Sequence, residues 1–413
     1  MLCLVAGMSG NLMEWYDFAL YGVLAATLGE LFFPHAGRLL ALLAVFGVFA
    51  AGYLMRLAGG AFFGHVGDRL GRRRALLISA TTMAISTALV GCLPTYASLG
   101  TLAPVLFTAL RLLQGLSVGG EFTTSITFLV EQAPPRRRGL QGSLAGLTAG
   151  AGILLGSAVG NALFAIYDTE TVLAWAWRLP FLLSLPLGIS IWVLRSTLPE
   201  DGEPDAPAAQ GPSPVWTVLR EHPGDVLRGA LLGWSPNASF YVIAVFLGSF
   251  LATEHLLTEK SALGLQTTSI ALMVILTPLA GHLSDLVGRK PMMIACTVGS
   301  LVASAPLLAV LRNGNPNDDL VAELIFCLFI VAGLAPYQVW LAESFPRALR
   351  ATGLGLAYNG AAGILGGLTP LACTTLVEVV GSELAPAIYL SLAAAVSLVV
   401  ALRTPETARA THV

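Results

Sequence analysis

Five charged side chains lie inside long apolar runs of this sequence: Glu14, Asp17, Arg56, Arg111 and Glu121. A charge at the centre of a membrane helix costs about 2.5–3.5 kcal/mol on the insertion scale. Uncompensated, the set would cost on the order of 10 kcal/mol or more. They must therefore face a polar cavity or one another. Asn11, Glu14, Phe18 and Tyr21 share one helical face, with Asp17 at its edge. Arg111, Gln114, Val118, Glu121 and Ser125 form a second stripe. Arg111 and Glu121 are ten residues apart, about 15 Å along a helix. They cannot meet, so each needs a partner on another helix. The pattern predicts that Arg56 or Arg111 pairs with Asp17 or Glu14, leaving another acid to bind a proton. Burial favours the neutral carboxyl and a nearby arginine the ionised one. An acid whose arginine is alternately engaged and released can thus load and unload a proton. The competing reading, buried structural ion pairs, stays open for each residue singly. For Glu14 a place near the membrane surface also stays open.

The elements that must position these charges follow from composition. The chain has 413 residues, 55% hydrophobic and only 11% charged. A soluble domain carries about 25% charge, so this is too little to coat a water-facing globule. Apolar runs of about 18 or more residues read as membrane helices, and they recur along the chain. Spans are expected near 4–29, 39–63, 75–93, 101–131, 140–166, 174–195, 227–252, 262–283, 291–311, 320–342, 351–378 and 384–402. The fold class is therefore an all-α membrane protein of twelve helices. No basic n-region or cleavage site precedes the first run, which is expected to be a retained span. Net charge is −2, and no basic stripe suggests nucleic acid. Cys3, Cys92, Cys296, Cys327 and Cys373 have neither metal-ligand nor disulfide spacing and read as small apolar residues. No nucleophile–base pair, metal cluster or phosphate loop points to catalysis, and no cofactor is expected.

Basic residues in short loops set orientation. Arg69, Arg72, Arg73 and Arg74, then Arg136, Arg137 and Arg138, then Arg289 and Lys290, then Arg347 and Arg350 all fall on one side. The opposite loops hold Asp168, Glu170, Glu254, Glu259, Asp318, Asp319 and Glu383, with Arg38, Lys260 and Arg312. The arginine side is expected to be cytoplasmic, and an even span count puts both termini there. Residues 196–226, with Pro199, Pro204, Pro207, Pro212, Pro214 and Pro223, read as a cytoplasmic linker. It divides a six-helix bundle at 1–195 from another at 227–413. The halves repeat. Gly64-His-Val-Gly-Asp68-Arg-Leu-Gly71-Arg72-Arg73 aligns without a gap on Gly281-His-Leu-Ser-Asp285-Leu-Val-Gly288-Arg289-Lys290. Pro135-Arg-Arg-Arg138-Gly139 is echoed by Pro346-Arg-Ala-Leu-Arg350-Ala-Thr-Gly353.

The Gly64–Arg73 segment resembles the loop motif of the major facilitator superfamily. Gly10-Asn11-Leu-Met-Glu14-Trp15-Tyr16-Asp17-Phe18-Ala-Leu-Tyr21-Gly22 is similar to the first helix of its metabolite:proton symporter family. So are Gln114-Gly115-Leu-Ser-Val-Gly119-Gly120-Glu121, Trp177-Arg178-Leu-Pro180-Phe181, and Phe345-Pro346 with Arg350. The resemblance covers essentially the whole chain. It implies proton-coupled carriage of solutes such as proline, betaine, 2-oxoglutarate, citrate or shikimate. Glu378 and Gly366-Gly367-Leu-Thr-Pro370 look most like the proline/betaine or tricarboxylate branches. One departure is Leu57 after Arg56, where the family often has proline.

Function is read as symport of a small carboxylate or zwitterion by rocking of two halves. Asp17, Glu14 and Glu121 are the candidates for proton coupling. Arg56, Arg111, Gln114 and Tyr21 are the candidate substrate contacts of the first half. Asn237, Tyr241, Gln338 and Asn359 are those of the second, with Tyr337 a further polar position. A quaternary ammonium would want an aromatic cage, to which Trp15, Tyr16, Phe18 and Tyr241 could contribute. Trp340 reads as a membrane-interface aromatic. Asp68, Arg72, Asp285 and Arg289 read as a latch: each aspartate could accept hydrogen bonds from a helix N-terminus. Partners are the solute, protons and the lipid bilayer of a bacterial cytoplasmic membrane, with a monomer expected. The glycine-rich fifth span lacks an internal proline, which counts against the alternative, a proton-coupled exporter of amphipathic compounds.

Overall fold

In lipid every backbone polar group must be satisfied internally, so apolar runs of this length fold as helices. The computed structural model describes residues 2–34, 37–198, 212–247, 250–251, 259–313 and 315–408. Pro199, Pro204 and Pro207 of the expected linker and Glu254 lie outside the described residues, as do the side chains of Arg38, Glu259 and Lys260. No strand occurs among the described residues.

Among the described residues twelve helical spans follow in order. They are α1 (Leu2–Val23, continued by Ala25–Phe32), α2 (Gly37–Leu70), α3 (Arg72–Cys92), α4 (Leu102–Glu131), α5 (Arg138–Ile166) and α6 (Arg178–Ser196). Then come α7 (Pro223–Phe246), α8 (Glu259–Val287), α9 (Arg289–Leu311), α10 (Pro316–Ser344), α11 (Arg347–Val380) and α12 (Pro386–Arg403). Ten of these meet the length and hydropathy needed to cross a membrane. The other two, α1 and α2, carry the expected mid-span charges Glu14, Asp17 and Arg56.

The chain forms two compact units. The first is Met1–Phe128 with Thr148–Val215, and the second is Leu129–Leu147 with Trp216–Val413. In the first, glycines bring helix backbones together. A Cβ at Gly152, Gly156 or Gly160 of α5 would collide with the Leu12 carbonyl, the Tyr16 carbonyl or Val23 of α1. On the other side, Gly115 of α4 meets the Gly52 carbonyl of α2, Gly119 meets that of Arg56, and Gly59 of α2 meets that of Leu116. An apolar cluster of Tyr21, Phe32, Phe107, Trp177 and Phe181 closes one end of this unit.

In the second unit α7 and α11 are each interrupted by a π-helical segment, Val242–Phe246 and Gly360–Gly366. Gly366 lies against the Tyr241 ring and Asn237, so the wide turn of α11 packs on the stretch of α7 that precedes its own wide turn. Trp340 is 1% exposed, and its Nε1 donates to the Pro405 carbonyl at 3.2 Å. It is therefore a buried tie to the segment after α12, not the interface aromatic its position suggests.

The sequence repeat is a structural one. Gly71 and Gly288 take φ of 96° and 111° at the turns into α3 and α9, where only glycine is unstrained. Across each turn an i, i+4 ion pair forms: Asp68–Arg72 at 2.6 Å and Asp285–Arg289 at 2.8 Å. The second echo forms a 3₁₀ turn in both places, Pro135–Arg137 and Arg347–Leu349.

Candidate functional site

The glycine contacts between α2 and α4 decide where the arginines go. Arg56 and Arg111 sit on helices in backbone contact, facing the polar side of α1. All five expected mid-span charges are buried, and the structure divides them into two groups.

Asp17 is the centre of the first group. One of its oxygens accepts from Arg111 Nη1 at 2.5 Å. The other accepts from Gln114 Nε2 at 2.8 Å and Thr87 Oγ1 at 3.2 Å. Arg111 Nη1 also donates to Gln114 Oε1 at 2.9 Å, and its guanidinium lies 4.0 Å from the Tyr21 ring centre. Tyr21 uses its hydroxyl on the Val45 carbonyl at 2.7 Å. It supports the arginine with its ring and does not aim its hydroxyl at the cavity.

Beside this pair, Arg56 Nη2 donates to Glu14 Oε1 at 3.4 Å, a long contact for a charge-assisted bond. The second Glu14 oxygen is buried without a hydrogen-bond partner. The two ion pairs line one cavity, together with Trp15, Phe18, Tyr53, Gln114 and Val118. The cavity holds about 360 Å³ of space outside protein atoms, its open mouth included. Phe18 contacts Trp15 and Tyr53 at centroid distances of 5.3 and 6.1 Å, and the Arg56 guanidinium lies 5.1 Å from the Tyr53 centroid. Of the aromatics expected to form a cage, Trp15 and Phe18 are here. Tyr16 is not: its hydroxyl donates to the Pro180 carbonyl at 2.7 Å. Tyr53, absent from the expected set, lines the cavity as well.

Glu121 forms the second group and does not line this cavity. Its arginine partner is a third one, beyond Arg56 and Arg111. Its carboxylate is gripped by Arg195 and accepts from Ser79 Oγ. Arg195 is 0% exposed and also donates to the carbonyls of Leu76 at 2.5 Å and Ala6 at 3.1 Å. Sequence reasoning missed Arg195 because it stands at the last position of its expected span, where an arginine reads as a boundary marker. Asn11 and Ser125, from the two stripes, bond each other at 3.0 Å.

The second-unit candidates are buried but mostly self-satisfied. Asn237 donates to the Gly233 carbonyl and Asn359 to that of Gly355, both at 2.8 Å and both one turn back on their own helix. Tyr241 packs on Gly366. Tyr337 donates to the Gly229 carbonyl at 3.0 Å. Gln338 differs: its Oε1 is buried with no hydrogen-bond partner.

At the arginine-rich end, Asp285 accepts from the backbone N–H of Gly139 at 2.8 Å and of Leu140 at 2.9 Å. These are first-turn donors of α5, where the helix dipole favours a carboxylate. Arg289 bridges Asp285 and Glu343, and Arg350 reaches Glu131 at 3.2 Å. Glu343 and Glu131 had no signal in the sequence beyond their charge near a helix end.

The chain matches the family model described as "Sugar (and other) transporter" over residues 2–201 and 215–413. It belongs to that transporter family. An ectoine/proline transporter of Corynebacterium glutamicum is 33% identical, the match covering 97% of this chain and 83% of the relative. The alpha-ketoglutarate permease of Escherichia coli is 33% identical over 97% and 92% of the two chains. The citrate-proton symporter of Klebsiella pneumoniae is 32% identical over 94% and 87%. Among solved structures, the major facilitator superfamily proton:xylose symporter bound to 6-bromo-6-deoxy-D-glucose superposes with a TM-score of 0.82 at 19% identity, covering 98% of this chain and 96% of that one. The fold is the major facilitator fold, and the protein is an integral membrane transporter.

Proposed function

We propose that the protein is a proton-coupled symporter that imports a small zwitterionic solute of the proline or betaine kind. The observation that carries this reading is the charge balance of the first-unit cavity. Glu14, Asp17, Arg56 and Arg111 sum to zero, and three aromatic rings stand beside them. A polyanion would meet no excess of positive charge there. A zwitterion can offer its carboxylate to an arginine and its cationic end to Glu14 and the rings. The relatives named for ectoine and proline support the same class, while those named for 2-oxoglutarate and citrate keep an organic acid as the second reading.

Proton coupling is assigned to Asp17. A proton on Asp17 removes the charge that holds Arg111 and frees the guanidinium for a substrate carboxylate. Glu14 and Glu121 are the further acids of the same half. Gln114 and Tyr21 position Arg111. Asn237, Tyr241, Gln338 and Asn359 are the second-half contacts. The halves are 1–195 and 227–413, joined by the 196–226 linker. The protein works as a monomer in a bacterial cytoplasmic membrane, with both termini and the arginine-rich loops in the cytoplasm. There Asp68, Arg72, Asp285 and Arg289 act as the latch.

The test is uptake into proteoliposomes under an imposed inward proton gradient, with labelled proline, glycine betaine, 2-oxoglutarate and citrate. Gradient-dependent accumulation of proline or betaine is expected. Accumulation of only the acids would move the assignment to organic acids. Counterflow of larger amphipathic compounds, without accumulation of any of the four, would replace the symporter by an exporter.

A further inference from the structure

The transport reading leaves one group of buried acids unused. It lies in the second unit, on the first two turns of α10, where Asp319 and Glu323 stand at i, i+4 on one helical face. Asp319 is 0% and Glu323 2% exposed. Glu323 accepts from Ser269 Oγ of α8 at 2.5 Å. Beneath it, Cys327 Sγ lies 3.9 Å from the Ser269 carbonyl. Asp319 has no hydrogen-bond partner for either carboxylate oxygen, yet it acts electrostatically on Glu323. The three ion pairs of Glu14, Asp17 and Glu121 in the first unit, and those of Arg289 and Arg350, bring an arginine to each buried acid. This pair has none.

The groups that face it confirm the deficit. On its own helix the neighbours are Asp318, itself an acid, and Cys327. From α8 it receives the Ser269 hydroxyl. At the end of α9, Arg312 is turned to Glu383 at 3.3 Å. Among the described side chains no cation reaches either carboxylate. Two like charges buried together cannot both stay ionised without a counter-charge. The first turn of a helix favours negative charge at Asp319, so Glu323, one turn deeper, is the member that must be neutralised.

We propose that Asp319 and Glu323, with Ser269, form a second cation site, one that takes a single exchangeable monovalent cation, a proton or Na⁺. It lies outside the Asp17 cavity and is built from residues of the second unit alone. A proton would be carried on Glu323 and shared electrostatically with Asp319. A sodium ion would be held by the carboxylate oxygens and the Ser269 hydroxyl.

The test is infrared difference spectroscopy of the purified full-length protein between acidic and alkaline pH, on the parent, E323Q, D319N and S269A, each checked for a parent-like thermal unfolding. None of these readouts needs a transported solute, so they stand apart from the assignment of Asp17. The parent should show the carbonyl stretch of a protonated carboxylic acid. That band should vanish in E323Q, move in S269A through the lost hydrogen bond, and titrate at a lower pH in D319N. Adding Na⁺ at constant pH, with choline as control, separates the sources: band loss with Na⁺ alone marks a sodium site, and no response a proton site. A carboxylic-acid spectrum identical in all four proteins, with no Na⁺ response, would overturn the proposal. If E323Q and D319N fail to fold, S269A and the Na⁺ titration of the parent still decide it.

Discussion

At the scale of single residues the question is which buried charges carry function and which only hold the fold. Asp17 has three polar contacts from three side chains, so Asp17→Asn keeps the shape and most hydrogen bonds while deleting the charge. Accumulation driven by the proton gradient should be lost, while solute exchange without a gradient persists, measured as counterflow in proteoliposomes. Loss of both would make the residue a structural one. Glu121 makes the contrasting prediction. Glu121→Gln leaves Arg195 buried without its counter-charge, and breaking one side of a buried pair costs about 3–5 kcal/mol. Thermal unfolding in detergent should fall sharply for that variant and recover in part when Arg195→Met is added. A parent-like E121Q would show that the pair contributes no stability. The sequence made the five charges visible because lipid penalises each of them. It could not apportion partners, since a pairing between helices depends on packing that spacing along one helix does not encode. Arg195 shows the limit: the same residue type at a helix end serves topology or a buried pair, and only three-dimensional neighbours tell which.

At the scale of elements, the α4 motif is legible in a new way. Gln114-Gly115 and Gly119-Gly120-Glu121 can be read as a family signature, but two of its glycines are there for the neighbouring backbone. Gly115 and Gly119, four apart, admit the carbonyls of Gly52 and Arg56. That close approach sets Arg56 and Arg111 on one cavity. Gly119→Val should force α2 and α4 apart, with overpacking costing about 1–3 kcal/mol. The expected readouts are a lowered unfolding temperature and a loss of solute affinity larger than that of Gly47→Val, since a Cβ at Gly47 meets nothing within 4 Å. Equal effects at the two positions would remove the positioning role from the motif. The π-helical turns of α7 and α11 are the complementary case. Glycine at Gly360, Gly363, Gly366 and Gly367 permits a wide turn, yet hydropathy reads through it as ordinary helix. The sequence thus places both spans and misses their local geometry.

At the scale of the whole molecule, the repeat was the most legible feature, because a gapless match at a tight turn, with glycine, aspartate and arginine in the same places, demands the same backbone twice. Gly71 and Gly288 meet that demand with the same positive φ and the same aspartate–arginine pair. What the repeat could not reveal is the use made of Asp285, which binds two backbone N–H groups at the start of α5. Hydrogen bonds to a charged acceptor contribute about 1.5–3 kcal/mol each. Asp285→Asn keeps one acceptor oxygen and loses the charge, while Arg289 retains Glu343, so the helix ends should stay folded. If opening of the arginine-rich end parts the first turn of α5 from the end of α8, the substitution favours the open state by roughly tenfold, as about 1.4 kcal/mol implies. Ser143, whose hydroxyl lies against Gly281, reports that parting. A S143C protein with the exposed Cys3 and Cys92 replaced by serine should react severalfold faster with a membrane-impermeant thiol reagent once Asp285→Asn is added. Solute-driven slowing of the reaction should weaken in parallel, because the solute would then work against a biased equilibrium. An unchanged labelling rate would leave Asp285 as a helix cap with no part in gating.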